Sequence, residues 1–145
     1  MECTVNDTLK HVLFQTRHFD RDDIESAILA ILIDLRVSTS HAGFEYLRIA
    51  ILLNYRHPTG SLSSDVYPAI TEYCETEVGA KPAEQAIRSA IVAAWKNHDH
   101  VWNYYFSPDE TGRIKRPTNA EFITKIARIL ELWHKCSREV AYERE

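Results

Sequence analysis

The stretch that decides the fold follows Gly79, where residues 79–95 read GAKPAEQAIRSAIVAAW. Pro82 suits the first turn of a helix, because the amide hydrogen that proline lacks is not needed there. Four apolar residues then recur at the spacing of a helix that is buried along one side: Ile87, Ile91, Ala94 and Trp95. The opposite side is polar, so the stretch predicts an amphipathic helix over 82–97.

Other segments also indicate helices, either from the spacing of their apolar residues or from a capping pattern. The predicted bounds are, in chain order, from a cap at Asp20 or Asp22 to Arg36, 41–55, 64–76, one or two turns within 101–106, and 121–137. Pro68 is tolerated only in the first turn of its helix, and Thr118 with Glu121 matches a capping box at the start of the last one. No segment alternates as a strand does. The chain is therefore predicted to be all-α, a single domain of five or six helices containing a helix-turn-helix.

The length of 145 residues fits one domain. We divide it into an N-terminal arm at 1–20 (flexible or helical), a helical domain at 21–138 and a charged tail at 139–145. No apolar run approaches the ~18–20 residues that cross a bilayer. Acidic residues precede every apolar block, unlike the start of a secretory signal. We therefore expect a cytoplasmic protein that does not contact a membrane.

Residues that carry out chemistry show no recognisable pattern. The three cysteines lie far apart and form no C-x-x-C pair, so neither a disulfide framework nor a zinc site is predicted. His98-Asp99-His100 lacks further metal ligands nearby and is more typical of a helix end. The sequence contains no nucleophile elbow, phosphate-cradling glycine loop or H-E-x-x-H. We predict that the protein is not an enzyme and has no catalytic residue, cofactor or metal.

Charge is unevenly distributed. The chain has a formal net charge of −4, but residues 112–138 hold seven basic residues against two acidic ones, a net charge of +5. A phosphate backbone is attracted by a local patch rather than by the global charge. A run of charge is also typical of a solvated helix face, so this block alone does not decide between the two interpretations.

The polar side of the helix over 82–97 suits DNA reading, as the second helix of a helix-turn-helix does. It carries, on one face by helical periodicity, Lys81, Glu84, Gln85, Arg88 and Ser89. Arginine can bind guanine with two hydrogen bonds, glutamine can bind adenine in the same way, and glutamate can accept from cytosine. Any amphipathic surface helix also has a polar face, so an ordinary solvated helix remains the alternative at this point.

Several segments resemble the C-terminal effector domain of the stage-zero sporulation response regulator family. They occur in the family's order, together cover roughly 23–137, and read GFEYLRIAI at 43–51, GSL at 60–62 with VYP at 66–68, AIRSAI at 86–91 with AW at 94–95, and RPTNAEFI at 116–123. That domain is an all-helical helix-turn-helix module that binds promoter DNA as tandem dimers. The resemblance implies the same class of activity for this chain.

The resemblance also shows where this chain departs from the family. Glu84 and Arg88 match a Glu and an Arg of the family's recognition helix, whereas Pro82 and Gln85 stand at two positions where the family has arginine. Glu72 and Tyr73 stand where the family's preceding helix carries lysines, and the following turn is about two residues longer, with Glu75 and Glu77 adding negative charge. Because each lost phosphate contact weakens binding and flattens its salt dependence by about one unit, we expect altered sequence preference or reduced affinity.

The leading hypothesis is a stand-alone DNA-binding transcription regulator, since the residues before the domain are too few for a receiver of roughly 120 residues. Glu84, Gln85 and Arg88 read bases of double-stranded promoter DNA, Ser63 and Lys81 contact phosphate, and Lys115 and Arg116 approach the backbone from the adjoining loop. The alternative is a protein-interaction modulator on the same scaffold, with weakened or lost DNA binding, that pairs with a full-length relative through the last helix. The expected partners also include a second copy of the chain, as a homodimer.

Overall fold

The computed structural model describes residues 5–15, 23–58, 60–74 and 79–143. Within these ranges the chain forms seven α-helices and no strand. The helices are α1 (Val5–Gln15), α2 (Ile24–Asp34), α3 (Ala42–Arg56), α4 (Tyr67–Tyr73), α5 (Ala80–Trp95), α6 (Trp102–Tyr105) and α7 (Asn119–Glu143). The prediction of an all-α fold is confirmed. The helix added to the predicted set is α1, which lies in the segment interpreted as an arm.

α3 lies at the centre of the fold and contacts α2, α4, α5 and α7. Phe44, Leu47 and Ile51, which the spacing predicted to face inward, are all buried. Neighbouring apolar residues on other sides of α3 are buried as well, because helices cover it from several directions. Tyr55 is half-buried, and its hydroxyl lies 3.0 Å from Nδ1 of His134 on α7.

The crossing of α3 and α5 is unusually close at Gly43. A Cβ atom at Gly43 would lie 2.0 Å from the carbonyl oxygen of Ala86 and 3.0 Å from the Cβ of Ala90. The first of these neighbours is backbone, so it cannot move aside without moving α5. Gly43 therefore sets the depth at which α5 packs on the core.

The segment predicted as a helix over 64–76 is built differently in the structure. A π-helical turn, Leu62–Val66, leads into α4, which ends at Tyr73. Pro68 lies in the first turn of α4, as its missing amide hydrogen requires. The following turn, predicted to be about two residues longer and to carry the negative charge of Glu75 and Glu77, falls mostly at 75–78, outside the described residues.

α5 begins at Ala80, two residues before the predicted start. Pro82 is then the third helical residue, still among the amides that have no acceptor within the helix. Ile87, Ile91 and Ala94 are buried as predicted. Trp95 is half-buried, with its ring stacked on His98 at 3.8 Å between centroids.

α2 has a different N-cap from the one predicted. Asp23 caps it, since its carboxylate accepts from the amide of Ser26 at 3.0 Å and from the Ser26 hydroxyl at 2.5 Å. These hydrogen bonds lower the pKa of Asp23. The prediction of Asp20 or Asp22 as the cap was wrong, because only Asp23 stands directly before the first helical residue, where a carboxylate reaches the free amides.

α2 ends at Asp34 in a Schellman motif, two residues before the predicted end. The amide of Val37 donates to Leu32 and the amide of Arg36 donates to Ile33, both at 3.0 Å. Arg36 has a positive φ of 64°, a conformation that favours glycine. Its guanidinium forms an ion pair with Asp99 at 2.9 Å.

α1 packs against α2, α6 and α7. Nε2 of His11 lies 2.6 Å from Oδ2 of Asp34, and the same oxygen accepts from the Tyr105 hydroxyl at 2.7 Å. Burial, and then the charge of Asp34, raise the pKa of Tyr105. Val12 is fully buried beside this cluster. α1 is therefore held by polar contacts as well as by its apolar side.

No described helix combines the length and the apolarity needed to cross a membrane.

Candidate nucleic-acid interface

The two helices of the predicted helix-turn-helix are α4 and α5, which pack against each other. Ile70 of α4 is buried, as are Ala83 and Ile87 of α5. The other side of α5 is open to solvent, and five polar residues are exposed there: Lys81, Glu84, Gln85, Arg88 and Ser89. The polar face predicted from the sequence is thus an exposed surface of the folded chain.

This face forms one wall of a groove with a volume of about 540 Å³. The π-helical turn, the loop before α7 and the first residues of α7 complete the lining. Seven of the eight residues predicted to contact DNA line the groove: Ser63, Lys81, Glu84, Gln85, Arg88, Lys115 and Arg116. The structure therefore brings together residues from three separate parts of the sequence.

Ser89 is the predicted residue that does not line this groove. Its hydroxyl lies 3.3 Å from Nε2 of His41, the residue that caps α3. Nδ1 of the same imidazole accepts from the amide of Gly43 at 2.9 Å. Because Nδ1 is an acceptor, the neutral ring carries its hydrogen on Nε2 and donates it to Ser89. His41 thus links the start of α3 to the outer side of α5.

The groove is positive although the chain as a whole is negative. Four basic side chains line it, Lys81, Arg88, Lys115 and Arg116, with Glu84 as the acidic one. None of the four basic groups forms an ion pair with a residue of the described ranges. Their charge is therefore available to an anion from outside. The positive end of the α5 dipole adds to the potential near Lys81.

The loop that carries Lys115 and Arg116 is held by its own hydrogen bonds. The Asp109 carboxylate accepts from the amides of Thr111 and Arg113 at 2.9 and 3.1 Å, and the Asp109 amide donates to the carbonyl of Arg113 at 2.7 Å. Hydrogen bonds from Thr111 and Arg113 lower the pKa of Asp109. The two basic residues thus follow a closed turn rather than an unsupported loop.

The capping box at the start of α7 is confirmed. The amide of Glu121 donates to Oγ1 of Thr118 at 3.1 Å, and the amide of Thr118 donates to Oε1 of Glu121 at 3.3 Å. Pro117, directly before it, is buried. This arrangement fixes the position where the loop joins α7, at the edge of the groove.

Asn119, the first residue of α7, connects that helix to α5. Its Nδ2 donates to the carbonyl oxygen of Glu84 on α5 at 3.0 Å. Tyr67 of α4 is 4% exposed, and burial raises its pKa while the Asn119 side chain acts in the opposite direction. In the sequence, Asn119 stands out only through the capping pattern and the family resemblance, and neither predicts its contact with α5.

A family model described as Sporulation initiation factor Spo0A C terminal matches residues 28–130. The matched span covers more than half of the chain and runs from α2 into α7. It includes every residue that lines the groove and leaves α1 outside.

Proposed function

Because the chain belongs to the family of Spo0A C-terminal domains, a family of DNA-binding domains, we propose that it regulates transcription by placing the first half of α5 in the major groove of duplex DNA. One observation carries this proposal: residues from α5, the π-helical turn and the loop before α7 line a single exposed groove of net positive charge. An α-helix fits a major groove, which is about 12 Å wide.

The proposed roles follow from the chemistry of each side chain. Arg88 binds guanine, Gln85 binds adenine and Glu84 accepts a hydrogen bond from cytosine. These three residues lie within two turns of one exposed helix face. Neighbouring bases of one site are therefore within reach of all three.

Phosphate contacts are proposed on both sides of α5. We assign Lys81 and Ser63 to one strand and Lys115 with Arg116 to the other. The first pair comes from the start of α5 and the π-helical turn, and the second comes from the loop before α7. Phosphate contacts of this kind position the protein and carry no sequence information. Ser89, whose hydroxyl is shared with His41, is proposed as a contact at the rim. Pro82 and Gln85 supply no cation, so we expect affinity to depend strongly on the loop residues.

The alternative, a modulator that pairs through the last helix, has less support. The apolar side of α7 is already buried within the chain, as Phe122, Ile126 and Trp133 show. α3 and α1 contact this helix. Pairing through the same side would require these helices to separate. Homodimers, heterodimers with a full-length relative and action without a receiver domain stay predictions.

Selection from a random pool of duplexes tests the proposal. We expect the wild-type protein to enrich one motif, and Gln85→Ala to lose the preference at one adenine while keeping the rest of that motif. Arg56→Gln, which alters an exposed charge that does not line the groove, should enrich the wild-type motif. Failure of the wild-type protein to enrich any motif, or an unchanged motif for Gln85→Ala, would contradict the assignment.

A further inference from the structure

A second depression lies next to the groove and has a volume of about 520 Å³. Lys115 and Pro117 line both, so the two are neighbours on either side of the loop before α7. The second depression is also lined by Lys125 and Arg128 of α7. Lys125 and Arg128 therefore extend the positive surface beyond the groove that reads bases in the proposal above.

The basic residues of α7 lie on its outer side. The residues of α7 that line the depression recur at helical spacing and form one exposed stripe: Glu121, Thr124, Lys125 and Arg128. The residues between them, including Phe122 and Ile126, are buried. Lys125 and Arg128 thus make no contribution to the core, and their charge is presented to solvent.

One acidic residue belongs to the stripe and another lies beside it, and neither cancels its charge. Oε1 of Glu121 accepts from the amide of Thr118 in the capping box, so this carboxylate serves the helix end. Glu131 pairs with Arg128 at 2.9 Å, but both side chains are more than half exposed. An ion pair of this kind is weak in water, and a phosphate can replace the carboxylate.

The stripe extends along α7 over a length comparable with a groove of duplex DNA. Asn119 lies at the edge of the protein groove, and Arg128 is nine residues further along α7, or ~13 Å at 1.5 Å per residue. A DNA major groove is ~12 Å across. The length of the stripe is therefore sufficient to follow a segment of sugar–phosphate backbone next to the site read by α5.

We propose that Lys125 and Arg128 bind the sugar–phosphate backbone of the same duplex outside the site read by α5, where they continue the phosphate contacts that Lys115 makes in the groove. This inference rests on the proposed function, and it extends the contact to a flanking segment of DNA. The phosphodiester is favoured as the ligand because the stripe continues a positive groove and offers guanidinium and ammonium donors, which suit phosphate oxygens.

The test compares the selected motif in a short duplex, which ends at the motif, with the same motif extended by ten base pairs on each side. The double variant Lys125→Gln/Arg128→Gln should bind the short duplex as the wild-type protein does. On the long duplex it should bind more weakly, with a salt slope flatter by up to ~1.8, which is ~0.9 for each lost phosphate contact. Lys125→Arg/Arg128→Lys should restore wild-type binding to the long duplex.

The matched control is Arg56→Gln/Lys96→Gln, which removes two exposed charges that line neither depression. It should leave the difference in affinity between the two duplexes at its wild-type value.

Equal binding of the long duplex by the wild-type protein and the α7 double variant would overturn the inference and leave the proposed function standing. An equal loss in the control, or in binding to the short duplex, would also overturn it. If polyglutamate bound the stripe while duplex length had no effect, the surface would belong to an acidic protein instead. Failure of the wild-type protein to bind either duplex would count against the proposed function itself.

Discussion

Two regions of the molecule treat their basic residues in opposite ways. On the surface of α2 and α3, Arg48 is paired with Glu25 and Glu45, and Arg36 is paired with Asp99. In the groove beside α5, by contrast, four basic side chains lie close together and none forms an ion pair within the described ranges. The difference shows that the basic residues of the groove are not neutralised by ion pairs within the described ranges. A site that binds an external anion requires such an excess of positive charge.

Pairing also changes how strongly each charge is held. The hydrogen bond from Arg48 lowers the pKa of Glu45, and the bond to Glu45 raises the pKa of Arg48. Both effects stabilise the charged forms inside the folded chain. The four basic residues of the groove form no ion pair within the described ranges, so we expect their charge to contribute to binding rather than to folding.

Gly43→Ala should have the largest effect, because it disturbs the helix that connects the two regions. The new Cβ would meet the backbone of α5 at 2.0 Å. Overpacking of this kind costs roughly 1–3 kcal/mol, and we expect the upper end because the neighbour is a carbonyl. Urea denaturation measures the loss.

The matched glycine control is Gly79→Ser. The nearest atom to a Cβ at Gly79 lies 3.6 Å away, and serine is a good N-cap, so its stability should stay within about 0.5 kcal/mol of wild type. A stable Gly43→Ala protein that binds DNA normally would show that the close crossing is not required.

Arg88→Gln and Arg48→Gln test the difference between the two regions, because the same substitution is made once in each. Arg88→Gln should weaken binding to the selected motif by about 1–3 kcal/mol, the contribution of a bidentate contact, with no change in the urea midpoint. Arg48→Gln should leave binding unchanged and cost less than about 1 kcal/mol of stability. Anisotropy titration and urea denaturation check both. The reverse pattern would contradict the division into a paired and an unpaired region.

Asn119→Ala should have an intermediate effect. It removes the hydrogen bond to the carbonyl of Glu84 and the contact with Tyr67, at a cost of about 1 kcal/mol in stability. DNA affinity should fall as well, since α5 and α7 lose the contact that fixes their separation at the groove. Thr124→Ala removes an exposed hydroxyl bonded only within α7. It is the control when both variants are measured on the short duplex, which ends before the α7 stripe. Loss of stability without loss of affinity would mean that Asn119 does not position α5.

Much of the fold could be predicted from the sequence, because periodicity and caps are local. The buried side of α5 and the capping box of Thr118 and Glu121 were both visible in residue spacing alone. The docking of α1 through His11 and Asp34, which are 23 residues apart, was not visible because helical spacing says nothing about distant partners. The π-helical turn was missed for a different reason, because the sequence of Leu62–Val66 has no feature that distinguishes it from the start of an α-helix.

The candidate site divides in the same way. The polar face of α5 follows from helical spacing. Lys115 and Arg88 line the same groove because of the path taken by the loop before α7. Local sequence patterns do not contain that information. The bridging contact of Asn119 is equally long-range, at 35 residues from Glu84. The capping pattern and the family resemblance both pointed to that block of sequence, but neither predicts its contact with α5.

A smaller effect on the free energy of unfolding is expected when the pH is lowered, and it arises from carboxylates outside the groove. Hydrogen bonds lower the pKa values of Asp23 and Glu45, so the folded state holds fewer protons than the unfolded state. The resulting stability is present above the unfolded pKa values and is lost as the pH falls through the folded ones. The free energy of unfolding, measured by urea denaturation, should decline between about pH 5 and pH 3. The decline begins near the ordinary carboxyl pKa values of about 4. Glu45→Gln should make the decline slightly shallower, and a steeper one would contradict the assignment.

The smallest effect is expected from Arg36→Gly. The substitution relieves a positive φ of 64° but removes the exposed pair with Asp99. The backbone gain of about 1 kcal/mol exceeds the value of most exposed pairs, so stability should rise by a few tenths of a kcal/mol. Urea denaturation at two salt concentrations separates the backbone contribution from that of the ion pair, because only the ion pair is screened by salt. A loss greater than about 1 kcal/mol would show that the paired region depends on this contact.

The salt dependence of binding to the short selected duplex is the most direct measurement. Three groove cations are assigned to phosphates, so the logarithm of the association constant should fall against that of salt with a slope of about −2.7. Replacing Lys115 and Arg116 by glutamine should flatten that slope to about −0.9. Binding that is insensitive to salt, or a slope unchanged by the two substitutions, would contradict the claim that the unpaired groove holds DNA.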